Sequence, residues 1–239
     1  MLFYFLPAIR TYNLILIAAA VIPAVFLMVR VYRTDRLEKE PRSMLLSLVF
    51  LGVLSSVIAM IAERLSCAVL DRALPRGGVW YNVILYFGIV AFEEEGAKYL
   101  LLSRRTRRSA EFDCLYDGVV YAVFVSLGFA LAENIGYVMV YGFHTALIRA
   151  VTAIPGHACF GVFMGAFYSF SEKSSRRGDT GPAALFRILA VVIPALLHGA
   201  YDYTAAVIGI ARYFIALIAV IFLAAYALIG RMSRNDGYI

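Results

Sequence analysis

A chain of 239 residues that is 62% hydrophobic and 16% charged, with a mean hydropathy of +0.81, is not an ordinary soluble domain; it reads as an all-α, polytopic membrane bundle. The length suits one such bundle, so residues 1–239 are taken as a single integral-membrane domain with a motif-bearing core over 79–209. The net charge of +6 comes from basic residues set between apolar runs, which is a topology signal and not a nucleic-acid surface.

Seven apolar segments follow in chain order, at 12–32, 44–62, 79–102, 116–142, 143–170, 184–209 and 211–229. At 1.5 Å rise per residue each spans roughly the 30 Å of a bilayer core. Residues 1–10 are apolar but too short to cross, and are expected at the interface. They lack the basic start and cleavage site of a signal peptide, so the first span is expected to be kept. The connection 67–78 has room for a short surface helix. Pro155-Gly156 predicts a kink in the fifth segment, since proline removes a backbone donor. The polar stretch 171–182 is expected to be a mobile loop. Cys67, Cys114 and Cys159 form no Cys-x-x-Cys motif and read as buried thiols.

Loop charge gives an orientation. Fifteen basic residues, from Arg30 to Arg234, fall in one set of loops and six in the other. The positive-inside rule then places the N-terminus outside and the C-terminus in the cytosol.

The third segment carries Glu93-Glu94-Glu95-Gly96-Ala97-Lys98. An ionisable side chain near the bilayer centre costs roughly 2.5–3.5 kcal/mol, and packing alone requires none. Helical residues turn by about 100° each, so Glu93 and Glu95 point apart. Lys98 lies three positions after Glu95 and four after Glu94, and reaches either but not Glu93. Glu94 and Glu95 are therefore expected to face the interior. Glu133-Asn134, His157 and His198 come out at similar depth on three other segments. His198 and Asp202 are four apart, on one helix face, a spacing that suits a carboxylate orienting a histidine or two ligands of one metal. Blander readings hold elsewhere. Gly161 and Gly165 mark helix contact, Asp113 and Asp117 cap a helix start, and Arg104–Arg108 is a topology signal. Carboxylates and imidazoles together, with no serine or cysteine beside a base, suit activation of water. The histidines are then free to ligate a metal or to donate to an oxyanion.

The set Glu94-Glu95-Gly-Ala-Lys98, Phe129-x-x-x-Glu133-Asn134, His157-x-x-x-Gly161 and His198-x-x-x-Asp202 resembles the PrsW family of intramembrane proteases. More distantly it resembles the CAAX-protease and bacteriocin-processing superfamily, whose second motif usually ends in histidine where Glu133 stands here. The resemblance implies an endopeptidase of the bacterial plasma membrane that cuts a membrane-anchored protein, typically an anti-sigma factor, to start a stress response. By position it makes Glu94 the base, Glu95 its companion, and His198, Asp202, Glu133 and His157 the remainder of the centre, supported by Lys98 and Asn134. It allows one divalent metal such as zinc, held by His157, His198, Asp202 and Glu133, or none. The rival reading is a proton- or cation-coupled carrier using the same buried residues. Such a carrier is expected to show inverted repeats, and none is visible in the sequence.

Overall fold

A computed structural model describes residues 2–207 and 209–239, and of residues 2–12 the helical backbone only. Among the described residues the structure is helix and turn, with one isolated antiparallel bridge, Cys114 to Tyr238. The helices are α1 (Leu2–Thr34), α2 (Arg42–Ala73), α3 (Val79–Val83), α4 (Phe92–Thr106), α5 (Asp117–Tyr141), α6 (Phe143–Val151), α7 (Ala153–Arg176), α8 (Thr180–Ala206) and α9 (Phe214–Arg234). A π-helical stretch, Ile84–Ala91, joins α3 to α4 without a break. Six of the expected segments form helices long and apolar enough to cross a membrane, with α6 and α7 together making one of them. The seventh, residues 79–102, is helical throughout and is set apart by its four charged residues, Glu93, Glu94, Glu95 and Lys98. The chain is a multi-pass membrane protein.

The sequence explains the core. In α5 every residue from Asp117 to Ala130 is buried, because the segment is apolar on all sides and so takes the centre. Packing there is close enough to need glycine. A Cβ on Gly165 of α7 would lie 2.3 Å from the Gly118 carbonyl oxygen of α5, and one on Gly52 of α2 would lie 2.1 Å from that of Val125. With no hydrophobic drive between helices in lipid, such backbone proximity is what holds them.

Four expectations on the connections meet the structure differently. The break in the fifth segment falls at Thr152 (φ −120°, ψ −71°), before Pro155 and not at it. Proline 155 has no N–H for the Val151 carbonyl and its ring crowds that carbonyl, so the helix parts one turn earlier. Residues 67–78 hold no separate helix. Instead α2 runs on to Ala73, and the turn beyond it closes on Asp71, which accepts from Arg76 Nε at 2.9 Å and Tyr81 OH at 2.7 Å. The stretch 171–182 is mostly helix. Ser171 Oγ donates to the Ala183 carbonyl at 2.9 Å and fastens α7 to α8 across a short turn. Residues 2–10, expected apart from the first span at the interface, have the backbone of α1 and run on into that span as one helix, Leu2–Thr34.

Candidate active site

Three helices and the π stretch bring the charges of α4 to the partners they need. The buried face of α4 is Glu94, Glu95, Ala97, Lys98, Leu102 and Thr106, a helical stripe that starts where the wider π turns end. Glu93 points elsewhere, towards α2, where Ser66 Oγ donates to its Oε1 at 2.5 Å. On α8, Gly199 lets the chain approach the π stretch: a Cβ there would lie 2.6 Å from the Phe87 ring. The neighbouring His198 thereby reaches α4.

Lys98 is the hub. Its side chain is fully buried, and Nζ donates to Glu95 Oε1 at 2.7 Å, Glu94 Oε2 at 3.2 Å and His157 Nδ1 at 3.2 Å. It also lies over the Phe129 ring, 3.8 Å from the centroid. An ammonium only donates, so His157 Nδ1 must accept. The proton of a neutral His157 then sits on Nε2, which donates to Glu133 Oε2 at 2.9 Å. Glu133 is held in turn by Arg149, 2.8 Å away, whose Nε donates to Asn134 Oδ1 at 2.8 Å. His198 stands between two carboxylates, with Nδ1 3.0 Å from Glu95 Oε1 and Nε2 3.4 Å from Asp202 Oδ2. Its ring stacks on Phe160 at 4.8 Å.

All six residues singled out for chemistry therefore join one network, with Lys98 and Asn134 inside it. Their ranks differ from the expected ones. The donors that converge are Glu94, Glu95, His157 and His198, each offering a ligand atom within 4.8 Å of the rest. Glu133 and Asp202, expected beside the histidines as metal ligands, stand behind them on their outer nitrogens. Both are part-exposed, at 23% and 25% of the side chain. Asp202 was expected to orient His198, yet the shorter contact to that ring is from Glu95. Arg149, which counts as a loop charge in the sequence, is a partner of the site. Its signal was there, since an arginine on an apolar helix needs an acid.

What the fold and this network define is an integral-membrane enzyme whose acid–base groups lie inside the helical bundle. Residues 40–229 match the model of the PrsW family, described as intramembrane metalloproteases. Relatives named Protease PrsW are 34% identical in Bacillus subtilis (79% of this chain, 81% of the relative), 32% in Clostridioides difficile (77% and 76%) and 33% in Geobacillus kaustophilus (79% and 78%). No solved structure matches the chain significantly. The chain belongs to the PrsW family, and it is an intramembrane protease.

Proposed function

We propose that the protease cuts a membrane-anchored protein, an anti-sigma factor being the substrate class its family resemblance implies, with a water activated by Glu94. The observation that supports this is the unequal pairing of the two acids. Glu95 is fully buried, and its Oε1 is shared between Lys98 and His198 at 2.7 and 3.0 Å. Glu94 makes one longer hydrogen bond, 3.2 Å to Lys98, with His198 Nδ1 3.8 Å from the same oxygen, and is 6% exposed, so it is the acid freer to hold a water. Glu94 takes a proton from that water as the oxygen attacks the peptide carbonyl, and delivers it to the departing amine. Lys98 donates to the oxyanion, while Glu95 holds Lys98 and His198 in place.

A metal is compatible with the donor set. Two carboxylates and two imidazoles suit a zinc-like ion, and the His157–Glu133 pair is the usual backing of a metal-bound imidazole. The Lys98 ammonium now touches three of those four donors, so ion and lysine are alternatives at one place. When bound, the ion supplies Lewis acidity. Elemental analysis of purified protein decides: about one equivalent of transition metal is expected if the ion displaces Lys98. Active, metal-free, chelator-resistant protein would leave the carboxylate mechanism alone.

The excess of basic residues in the loops after α1, α4, α7 and α9 supports a bacterial plasma-membrane topology with the N-terminus outside and the C-terminus in the cytosol. The test of function is co-expression with candidate membrane-anchored substrates. A new fragment is expected with the wild type and none with Glu94→Ala. The same fragment from both would overturn the reading.

A further inference from the structure

Arg149 reaches the active site from behind the four converging donors, on a helix that joins the bundle through two irregular links. α6 is nine residues long. Gly142, before it, has φ +80° and ψ −167°, a conformation open to glycine and costly for other residues. Thr152, after it, is where the helix parts ahead of Pro155. Ala146 is the one buried residue of α6, and it packs with Leu16 and Ala20 of α1 and Val138 of α5. The larger apolar residues Phe143, Leu147, Ile148 and Val151 are exposed. α6 is thus a short arm, hinged at both ends, lying against α1 and α5.

The Arg149 guanidinium is held on three sides, each time by α5. Nη2 lies 2.8 Å from Glu133 Oε2, Nε donates to Asn134 Oδ1 at 2.8 Å, and Cζ stands 4.0 Å from the centroid of the Tyr137 ring. Neutralising one acid within the membrane asks only for a positive charge, which a lysine supplies. A two-donor fork laid on an aromatic face fixes a plane as well. What that plane fixes is Glu133 Oε2, and the same oxygen accepts the His157 Nε2 proton at 2.9 Å. Among the described residues no other lysine or arginine pairs with Glu133. Without Arg149 this part-exposed carboxylate is free to turn away from the ring.

We propose that Arg149 is a positioning residue for peptide hydrolysis, acting through Glu133 to set the tautomer of His157. It rests on the reading of Glu94, Lys98 and the histidines as the reaction centre. A neutral imidazole carries its proton on one nitrogen, and its partners decide which. With Glu133 held, the proton stays on Nε2, and Nδ1 accepts from Lys98 at 3.2 Å. With Glu133 released, the proton can pass to Nδ1, where it meets an ammonium that only donates. Lys98 then loses its place beside Glu94 and Glu95, and with it the donor aimed at the oxyanion. α6 makes the working tautomer conditional on its own position: an arm swung away from α5 withdraws the guanidinium and no other group of the site.

The test uses purified full-length protein in detergent and a membrane-anchored peptide that the wild type cuts. Arg149→Ala should lower kcat about 10- to 100-fold, the usual loss when the group behind a working imidazole is removed, with KM within about twofold of the wild type. Arg149→Lys should recover part of that rate, since it returns the charge without the fork. Arg149→Ala combined with Glu133→Gln should be no slower than the slower single variant, because both break one chain of contacts. The nitrogen-15 spectrum of the three histidines reads the tautomer with no substrate present. His157 should carry its proton on Nε2 in the wild type and lose that preference in Arg149→Ala. Gly142→Ala strains the hinge and touches no group of the site; it should shift kcat and tautomer in the same direction. Any of three results overturns the proposal: a wild-type His157 protonated on Nδ1, an Arg149→Ala variant with wild-type kcat or a loss confined to KM, or losses that multiply in the double variant. If Arg149→Ala fails to accumulate, the spectra of the wild type and Gly142→Ala decide. Glu94→Ala in the same assay tests the water-activating acid by itself, so failure of that assignment is told apart from failure of this one.

Discussion

Glu94 and Glu95 are adjacent in the chain and differ in what depends on them. Lys98 and His198 both rest on Glu95 Oε1, so Glu95→Gln leaves a buried ammonium undercompensated. Breaking a buried pair in this way costs about 3–5 kcal/mol; the variant should lose cleavage and also accumulate poorly. Glu94→Gln leaves that pair intact and should accumulate normally while cleavage falls by about 100-fold or more. Glu93→Gln, on the Ser66 side, should be mild. The measurement is substrate disappearance per amount of membrane protein, and a dead Glu93→Gln beside an active Glu94→Gln would reverse the assignment. The histidine and aspartate of α8 make a second comparison. His198→Ala should remove activity outright. Asp202→Asn should keep a measurable remainder, because Asp202 stands 3.4 Å behind the ring and an amide oxygen still accepts a hydrogen bond there. Full activity in His198→Ala would take that ring out of the chemistry.

At the scale of elements, the π stretch and Gly199 set the distance between α4 and α8. Gly199→Ala places a methyl against Phe87 and should force the helices apart by a few tenths of an ångström. Such a shift at a preorganised site should cost roughly tenfold or more in rate, with Tm lowered by a few degrees at most. Unchanged cleavage would show that the approach is not needed. The apolar segments were legible in the sequence because length and hydropathy suffice to define a span. Glu94, Glu95, His157 and His198 were legible because polar residues in such spans are rare and costly. Other features carry no local signal. Residues 84–91 are apolar throughout, and nothing in their order announces i→i+5 bonding. The break at Thr152 is set by the clash of Pro155 with the turn before it, which displaces the fault from its cause. Glu133 and Asp202 could be placed at the right depth but not ranked, since rank depends on which nitrogen of a neighbouring helix each one meets.

For the whole molecule, the basic loops after α1, α4, α7 and α9 predict one orientation. Reporter fusions after Arg177 and at the C-terminus should read as cytosolic, and one after Gly78 as external. A cytosolic reading after Gly78 would break the alternation of spans. The Lys98 hub also bears on how the chain enters the bilayer. Residues 93–98 bring four ionisable groups into one span, at about 2.5–3.5 kcal/mol each if inserted alone. Their partners His157 and His198 are synthesised 59 and 100 residues after Lys98. The third span is therefore a poor membrane segment at the moment it leaves the ribosome, and becomes a good one only when α7 and α8 arrive. Nascent chains stopped shortly after Thr106 should leave residues 79–106 accessible to water-soluble thiol reagents at an introduced cysteine. Chains extended beyond Ala206 should protect the same position. Biogenesis of this enzyme would then be ordered by its own catalytic groups, with the active site acting as the retention signal for the helix that carries it.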